Sequence, residues 1–78
     1  MKSIIGKTFV KNVNGNYCFR KIESAYYSAV NGEPTRYYSA TLTTLFKDGT
    51  TYKEKTDFLH ADTFDKKVLS NDWKEFNL

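Results

Sequence analysis

The sequence has few of the features that identify a secreted domain or a membrane protein. It contains one cysteine, Cys18, in 78 residues. A single cysteine excludes an internal disulfide, and small secreted domains usually depend on paired cysteines. The longest uncharged stretches, 24–32 and 37–46, reach about half of the ~20 apolar residues that a membrane-spanning helix needs. We therefore expect a soluble, cytoplasmic protein with no membrane association.

Motifs of catalysis and of nucleotide binding are also missing. No P-loop, GxGxxG, GxSxG or CxxC pattern occurs. His60 lies near Asp57, Asp62 and Asp65, but their spacing matches no known metal site, and helix capping by Asp62 with a solvated His60 explains the same residues. Cys18 as a nucleophile would need His60 as its base. We expect a non-enzyme with no catalytic residue, metal or cofactor.

Aromatic residues are what the chain has in abundance. Six tyrosines, six phenylalanines and one tryptophan occur in 78 residues. Each buries on the order of 150–250 Å², which suits one small domain with few aliphatic side chains. The sequence therefore predicts a single domain over residues 1–78.

Turn dipeptides divide this aromatic chain into β-strands. Asn14-Gly15 predicts a two-residue type I′ turn that sets Phe9 opposite Arg20. Asn31-Gly32 leaves two registers open, because a two-residue turn sets Tyr26 against Tyr37 and a three-residue loop sets Tyr26 against Tyr38. The second strand breaks its alternation near Glu23 and Ser24, which predicts a bulge there. The predicted strands cover 4–13, 17–30, 35–46 and 50–56.

The C-terminal segment carries helix signals. Asp62 or Thr63 could cap a helix, and the spacing of Leu69, Trp73 and Phe76 predicts a helical face. The stretch 70–72 is polar enough to divide residues 62–76 into two short elements.

Together these elements predict a mainly β protein. The expected fold is a four- to five-stranded curled antiparallel meander with a short C-terminal helix, and the alternative is an open four-stranded sheet with that helix packed on one face. The turn pattern over residues 4–60, carried by Gly6, Asn14-Gly15 and Asp48-Gly49, resembles that of small SH3-like and Tudor-like barrels. This resemblance implies a closed small barrel.

The arrangement of the tyrosines points to a binding partner. The tyrosine pairs 26–27 and 37–38 flank one Asn-Gly turn, so an alternating strand directs one ring of each pair outward. Interfaces favour such rigid rings and arginine. The residues expected to bind a protein are Tyr26, Tyr27, Arg36, Tyr37, Tyr38 and Trp73.

Charge supports a second interpretation. The net charge is +3, and every charged residue before Glu23 is basic. The first hairpin would bring four of these into one basic patch, which favours nucleic acid, with tyrosines stacking on unpaired bases. The patch residues are Lys7, Lys11, Arg20 and Lys21.

The composition favours the protein partner. A short chain rich in Lys, Asn and Tyr is similar to small bacteriophage accessory proteins, and this resemblance implies an inhibitor or adaptor. A homodimer through a sheet edge is left open, although Lys53, Glu54 and Lys55 would guard the edge if the fourth strand lies there.

Overall fold

The strands begin and end at the turn residues of the sequence. The computed structural model describes residues 3–77. Its elements are β1 (Thr8–Val13), β2 (Asn16–Val30), β3 (Glu33–Leu45), β4 (Thr51–His60), α1 (Ala61–Leu69) and β5 (Lys74–Glu75). All strand pairs are antiparallel, and the sheet order is β4-β3-β2-β1-β5.

Asn-Gly turns set the register of the first two hairpins. Asn14 and Asn31 each have φ 54°, and the glycine after each also has a positive φ, as a type I′ turn requires. Val13 pairs with Asn16, and Phe9 pairs with Arg20 as predicted. In the second hairpin Tyr26 pairs with Tyr37. The two-residue register is therefore the one that forms.

Two irregularities bend the sheet. The β2–β3 register shifts between Ile22 and Ser24, which confirms the predicted bulge. A second shift between Tyr38 and Ala40 sets two residues of β4, Asp57 and Phe58, across from one residue of β3. Such a bulge reverses the face to which the following side chains point.

The sheet is open. Within residues 3–77, β4 and β5 form its two edges and do not pair with each other. The predicted antiparallel meander with a C-terminal helix is confirmed, but the sheet does not close into a barrel. A fifth strand also lies beside β1, through the pairing of Phe9 with Glu75.

Helix α1 covers one face of the sheet, which we call the helix face. Phe64 of α1 lies at the centre, with ring centroids 5.5 Å from Phe9, 6.4 Å from Tyr38 and 5.8 Å from Trp73. The buried core consists of Phe9, Ile22, Tyr38, Ala40, Ala61, Phe64 and Trp73. Aromatic rings thus supply most of the core volume.

The helix differs from its prediction at both ends. Its N-cap is His60, whose ring Nδ1 accepts from the backbone N–H of Thr63 at 3.2 Å, so neither Asp62 nor Thr63 is the cap. The helix ends at Leu69, which is exposed, and Trp73 reaches the core from the segment before β5. The predicted division of residues 62–76 is confirmed, with Asn71 at φ 64°. No helix in the described part of the chain is long and apolar enough to span a membrane.

Candidate interaction surface

The β2–β3 hairpin extends beyond both of its neighbours. Pairing with β4 ends at Tyr37, and the last backbone bonds between β2 and the segment before β1 are made by Ile22. Residues 28–35 therefore pair only with each other, and we call them the hairpin arm. At ~3.4 Å per residue the arm projects roughly 13 Å from the body of the sheet. The molecule accordingly measures 44 × 24 × 21 Å.

Aromatic rings gather at the base of the arm, on the face of the sheet opposite α1. The ring centroid of Phe58 lies 6.5 Å from that of Tyr26 and 5.7 Å from that of Tyr37. Tyr26 and Tyr37 are cross-strand partners with centroids 6.0 Å apart. Phe58 is nevertheless 68% exposed. We call this the open face, and these three rings form an apolar platform on it.

The hydroxyl of Tyr26 holds the platform in place. It donates a hydrogen bond to the backbone carbonyl of Asp57, one residue before Phe58. Desolvation, and then the nearby charge of Asp57, raise the pKa of the Tyr26 phenol above its ordinary value. The ring is therefore neutral at physiological pH, and its orientation is fixed by the bond to β4.

On the helix face at the same base, Tyr27 and Arg36 lie opposite each other on neighbouring strands. Tyr27 is 71% exposed. Arg36 lies with its guanidinium carbon 4.9 Å above the Tyr38 ring and donates to Asp65 Oδ2 at 3.1 Å. An arginine held in this way is preorganised for contact with a partner.

Tyr38 supports this arginine from below. It is only 1% exposed, and its hydroxyl donates to Asp65 at 2.7 Å while accepting from Arg36 at 3.0 Å. Burial and the bond to the Asp65 carboxylate raise the pKa of Tyr38 to about 12. Trp73, another residue predicted to bind a partner, is also buried, at 5% exposure. A partner could therefore contact the residues that surround Tyr38 and Trp73, but not these two side chains directly.

The predicted basic residues are divided between two concave regions. Lys11 and Arg20 line a cleft of about 290 Å³ on the helix face, together with Trp73. The Arg20 guanidinium carbon lies 4.4 Å from the Trp73 ring centroid, and burial lowers the pKa of Arg20. Lys11 forms an ion pair with Asp72 at 3.1 Å.

The other two basic residues line a larger groove. Lys7 and Lys21 border an open groove of about 910 Å³, joined by Lys53 from β4. Phe19 and Phe76, whose ring centroids are 5.2 Å apart, also line this groove. Lys7 is paired with Glu75 at 3.2 Å. The register of the first hairpin is as predicted, yet the four basic side chains are divided between two regions and do not form one patch.

The candidates for chemistry lie far apart. Cys18 is a free thiol on β2. Through Thr44 of β3 it lies level with Tyr52, near the start of β4, whereas His60 lies at the opposite end of β4. His60 caps α1, and its ring stands edge-on to Tyr37. Within residues 3–77, no three His, Cys, Asp or Glu side chains cluster as metal ligands would.

Sequence reasoning did not find Phe58 or Asp65 as parts of this surface. Phe58 joins the tyrosines because of the β4 bulge, which no glycine or proline marks. Asp65 reaches Arg36 because α1 begins at Ala61. One signal was present in the sequence, namely the two adjacent large apolar residues Phe58 and Leu59, which strict alternation would place on opposite faces of the sheet.

No family model, curated protein or solved structure matches this chain. Function is therefore inferred from the geometry, exposure and charge of the surface described above.

Proposed function

We propose that this is a small, non-enzymatic, cytoplasmic protein that binds another protein through the base of its hairpin arm. The observation that carries the proposal is the concentration of exposed and anchored aromatic and arginine side chains where the arm leaves the sheet. We call this set the root surface; it consists of Tyr26, Tyr27, Arg36, Tyr37 and Phe58. The reducing cytoplasm is favoured by the lone thiol of Cys18.

The composition of the root surface is that of an interface centre. Tyrosine, phenylalanine and arginine are enriched at such centres, and lysine and glutamate are depleted. No lysine or glutamate belongs to the root surface. Ring-to-ring packing and the Arg36–Asp65 ion pair fix most of these side chains before binding, which reduces the entropy that association costs.

The shape of the molecule favours an inhibitor or adaptor. The arm is narrow, and its residues 28–35 carry one charge, that of Glu33. A projecting hairpin of this kind can enter a cleft of a larger protein while the root surface packs against the rim. This mode agrees with the compositional similarity to small phage accessory proteins.

The decisive experiment uses three residues of nearly equal exposure. Tyr27, Phe58 and Leu69 are 71%, 68% and 69% exposed, and Leu69 lies at the far end of α1. A partner is captured from host lysate, identified, purified and titrated against each variant. Tyr27→Ser and Phe58→Ser should each weaken binding at least about 30-fold, the effect of losing roughly 2 kcal/mol.

The control, Leu69→Ser, should bind like the wild type. Circular dichroism should show the same fold for all three variants. Wild-type affinity in both Tyr27→Ser and Phe58→Ser would contradict the proposal, as would equal losses in all three variants.

A second candidate, nucleic-acid binding, is favoured by the groove on the open face. Lys21 and Lys53 line it beside the rings of Phe19 and Phe76, so cations and stacking surfaces occur together. Titration of labelled single-stranded DNA and RNA tests this. Lys21→Ala combined with Lys53→Ala should reduce the slope of log K against log salt by roughly 1.4. A control pair, Lys47→Ala with Lys66→Ala, lies outside the groove, and an equal effect there would reject the groove as the site.

A further inference from the structure

The outer edge of β2 is open along the hairpin arm and its base. In a hairpin with a two-residue loop, the pair that flanks the loop exchanges both backbone bonds, and bonded pairs then alternate with non-bonded ones. Starting from the bonded pair Val30 and Glu33, this alternation directs the backbone N–H and C=O groups of Ser28 and Tyr26 toward β3. The N–H and C=O groups of Ala25, Tyr27 and Ala29 therefore point outward. Pro34, opposite Ala29, fits the pattern because its position needs no donor.

The described residues do not cover this edge. Gly6 and Lys7 satisfy the backbone of Ile22, through bonds of 2.7 and 2.9 Å. The chain turns away at Gly6, which has φ 86°. Within residues 3–77, no backbone hydrogen bond from β1 or from the segment before it reaches Ala25, Tyr27 or Ala29.

This edge lacks the protection seen at the other edges of the sheet. Folded proteins protect such edges with charges, prolines, bulges or very short strands. β4 carries Lys53, Glu54 and Lys55, all exposed, and β5 is only two residues long. The segment Ser24–Val30 has neither a charge nor a proline, and the β2–β3 register is regular along it.

We infer that the outer edge of β2 pairs with the same edge of a second copy of this chain. The segment Ser24–Val30 is compatible with pairing to its own copy, because antiparallel pairing of an uncharged strand brings no like charges together. A two-fold axis at Ser28 sets Tyr27 of each copy opposite Ala29 of the other, a large side chain against a small one. This register also ends the pairing before the position of Gly6 and Lys7.

The dimer exchanges main-chain bonds through Tyr27 and Ala29 and opposes Ser28 to its own copy. Both helices then lie on one side of a continuous sheet, and both platforms of Tyr26, Tyr37 and Phe58 lie on the other. A single strand edge offers less than the ~800 Å² per partner of a standard interface. The dimer is therefore reversible and depends on protein concentration.

Sedimentation equilibrium from about 10 μM to about 1 mM tests this, because association shifts with concentration. The mass should rise toward that of a dimer and no further. Ala29→Pro removes an outward N–H that the hairpin does not use, so this variant should stay monomeric. Ala29→Val keeps the N–H and should dimerise. A monomer at every concentration, growth beyond a dimer, or equal dimerisation of Ala29→Pro would overturn the inference.

Amide hydrogen exchange gives an independent readout with residue resolution. At high concentration the amides of Tyr27 and Ala29 should gain protection, because the axis at Ser28 bonds these two residues across the dimer. The amide of Ser28, already bonded to β3, should not change. Uniform protection along the segment, or none, would count against strand pairing.

A covalent trap checks the register. In a Cys18→Ala background, Ser28→Cys places two thiols in a non-hydrogen-bonded pair, where Cα atoms about 4.5 Å apart suit a disulfide. Mild oxidation should give a disulfide-linked dimer, and Thr41→Cys in the same background should stay monomeric. Equal linkage of both variants would contradict the register. Ala29→Pro leaves the root surface intact, so the dimer and the proposed protein partner are tested separately.

Discussion

At the scale of single residues, the phenol of Tyr38 connects three parts of the molecule. It joins β3 to α1 through Asp65 and supports the guanidinium of Arg36. A hydrogen bond to a carboxylate contributes about 1.5–3 kcal/mol. Arg36 still compensates Asp65 when the hydroxyl is removed, so we expect Tyr38→Phe to lower the free energy of unfolding at pH 8 by about 1.5 kcal/mol.

The same hydroxyl predicts a loss of stability in alkali. The folded protein raises the pKa of Tyr38 from 10.0 to about 12. Stability from this group is therefore complete below pH 10 and is lost as the pH rises toward 12. Urea unfolding of the wild type and Tyr38→Phe at pH 8 and pH 10.5 should show a smaller difference at the higher pH. An unchanged difference would refute the linkage.

At the scale of secondary-structure elements, the cap of α1 is an unusual one. Histidine is not among the preferred N-cap residues, but the His60 ring nitrogen performs the same task as an Asn or Asp oxygen. His60→Ala should lower the free energy of unfolding by about 1 kcal/mol, whereas His60→Asn should keep most of it. Both changes remove the ring that touches Tyr37, so the difference between them, measured by urea unfolding, reports the cap alone. Equal stabilities of the two variants would show that the cap contributes little.

The elements also show which parts of the structure local sequence can encode. The Asn-Gly turns predicted the first hairpin register, because few other dipeptides tolerate two positive φ angles. Strict alternation along β4 would place Tyr52 and Phe58 on one face, but the β4 bulge, which has no such marker, separates them. Which tyrosine is buried depends on where α1 packs: Tyr38 lies beneath it, and Tyr27 lies beyond it. That packing is a long-range property.

At the scale of the whole molecule, the arm is structurally separate from the core. Among the arm residues whose side chains are described, 28–29 and 31–35, none belongs to the buried cluster. Replacing residues 29–34 with Asn-Gly joins Ser28 to Thr35, a hydrogen-bonded pair, through the same type of two-residue turn. The shortened protein should keep its fold and lie within about 1 kcal/mol of the wild type in urea unfolding, because an isolated hairpin is only marginally stable. A large loss of stability would show that the arm supports the sheet.

The position of β5 beside β1 has a consequence for how the chain folds. Every other pair of neighbouring strands is joined by a short turn, whereas Val10 pairs with Lys74 from the opposite end of the described chain. Bringing distant segments together costs loop-closure entropy before any contact repays it, so this pairing forms late. Trp73 packs next to it and completes the core. During synthesis the hairpins can therefore form as they emerge, but their apolar face stays uncovered until α1 has been added, and the core is complete only once Trp73 follows.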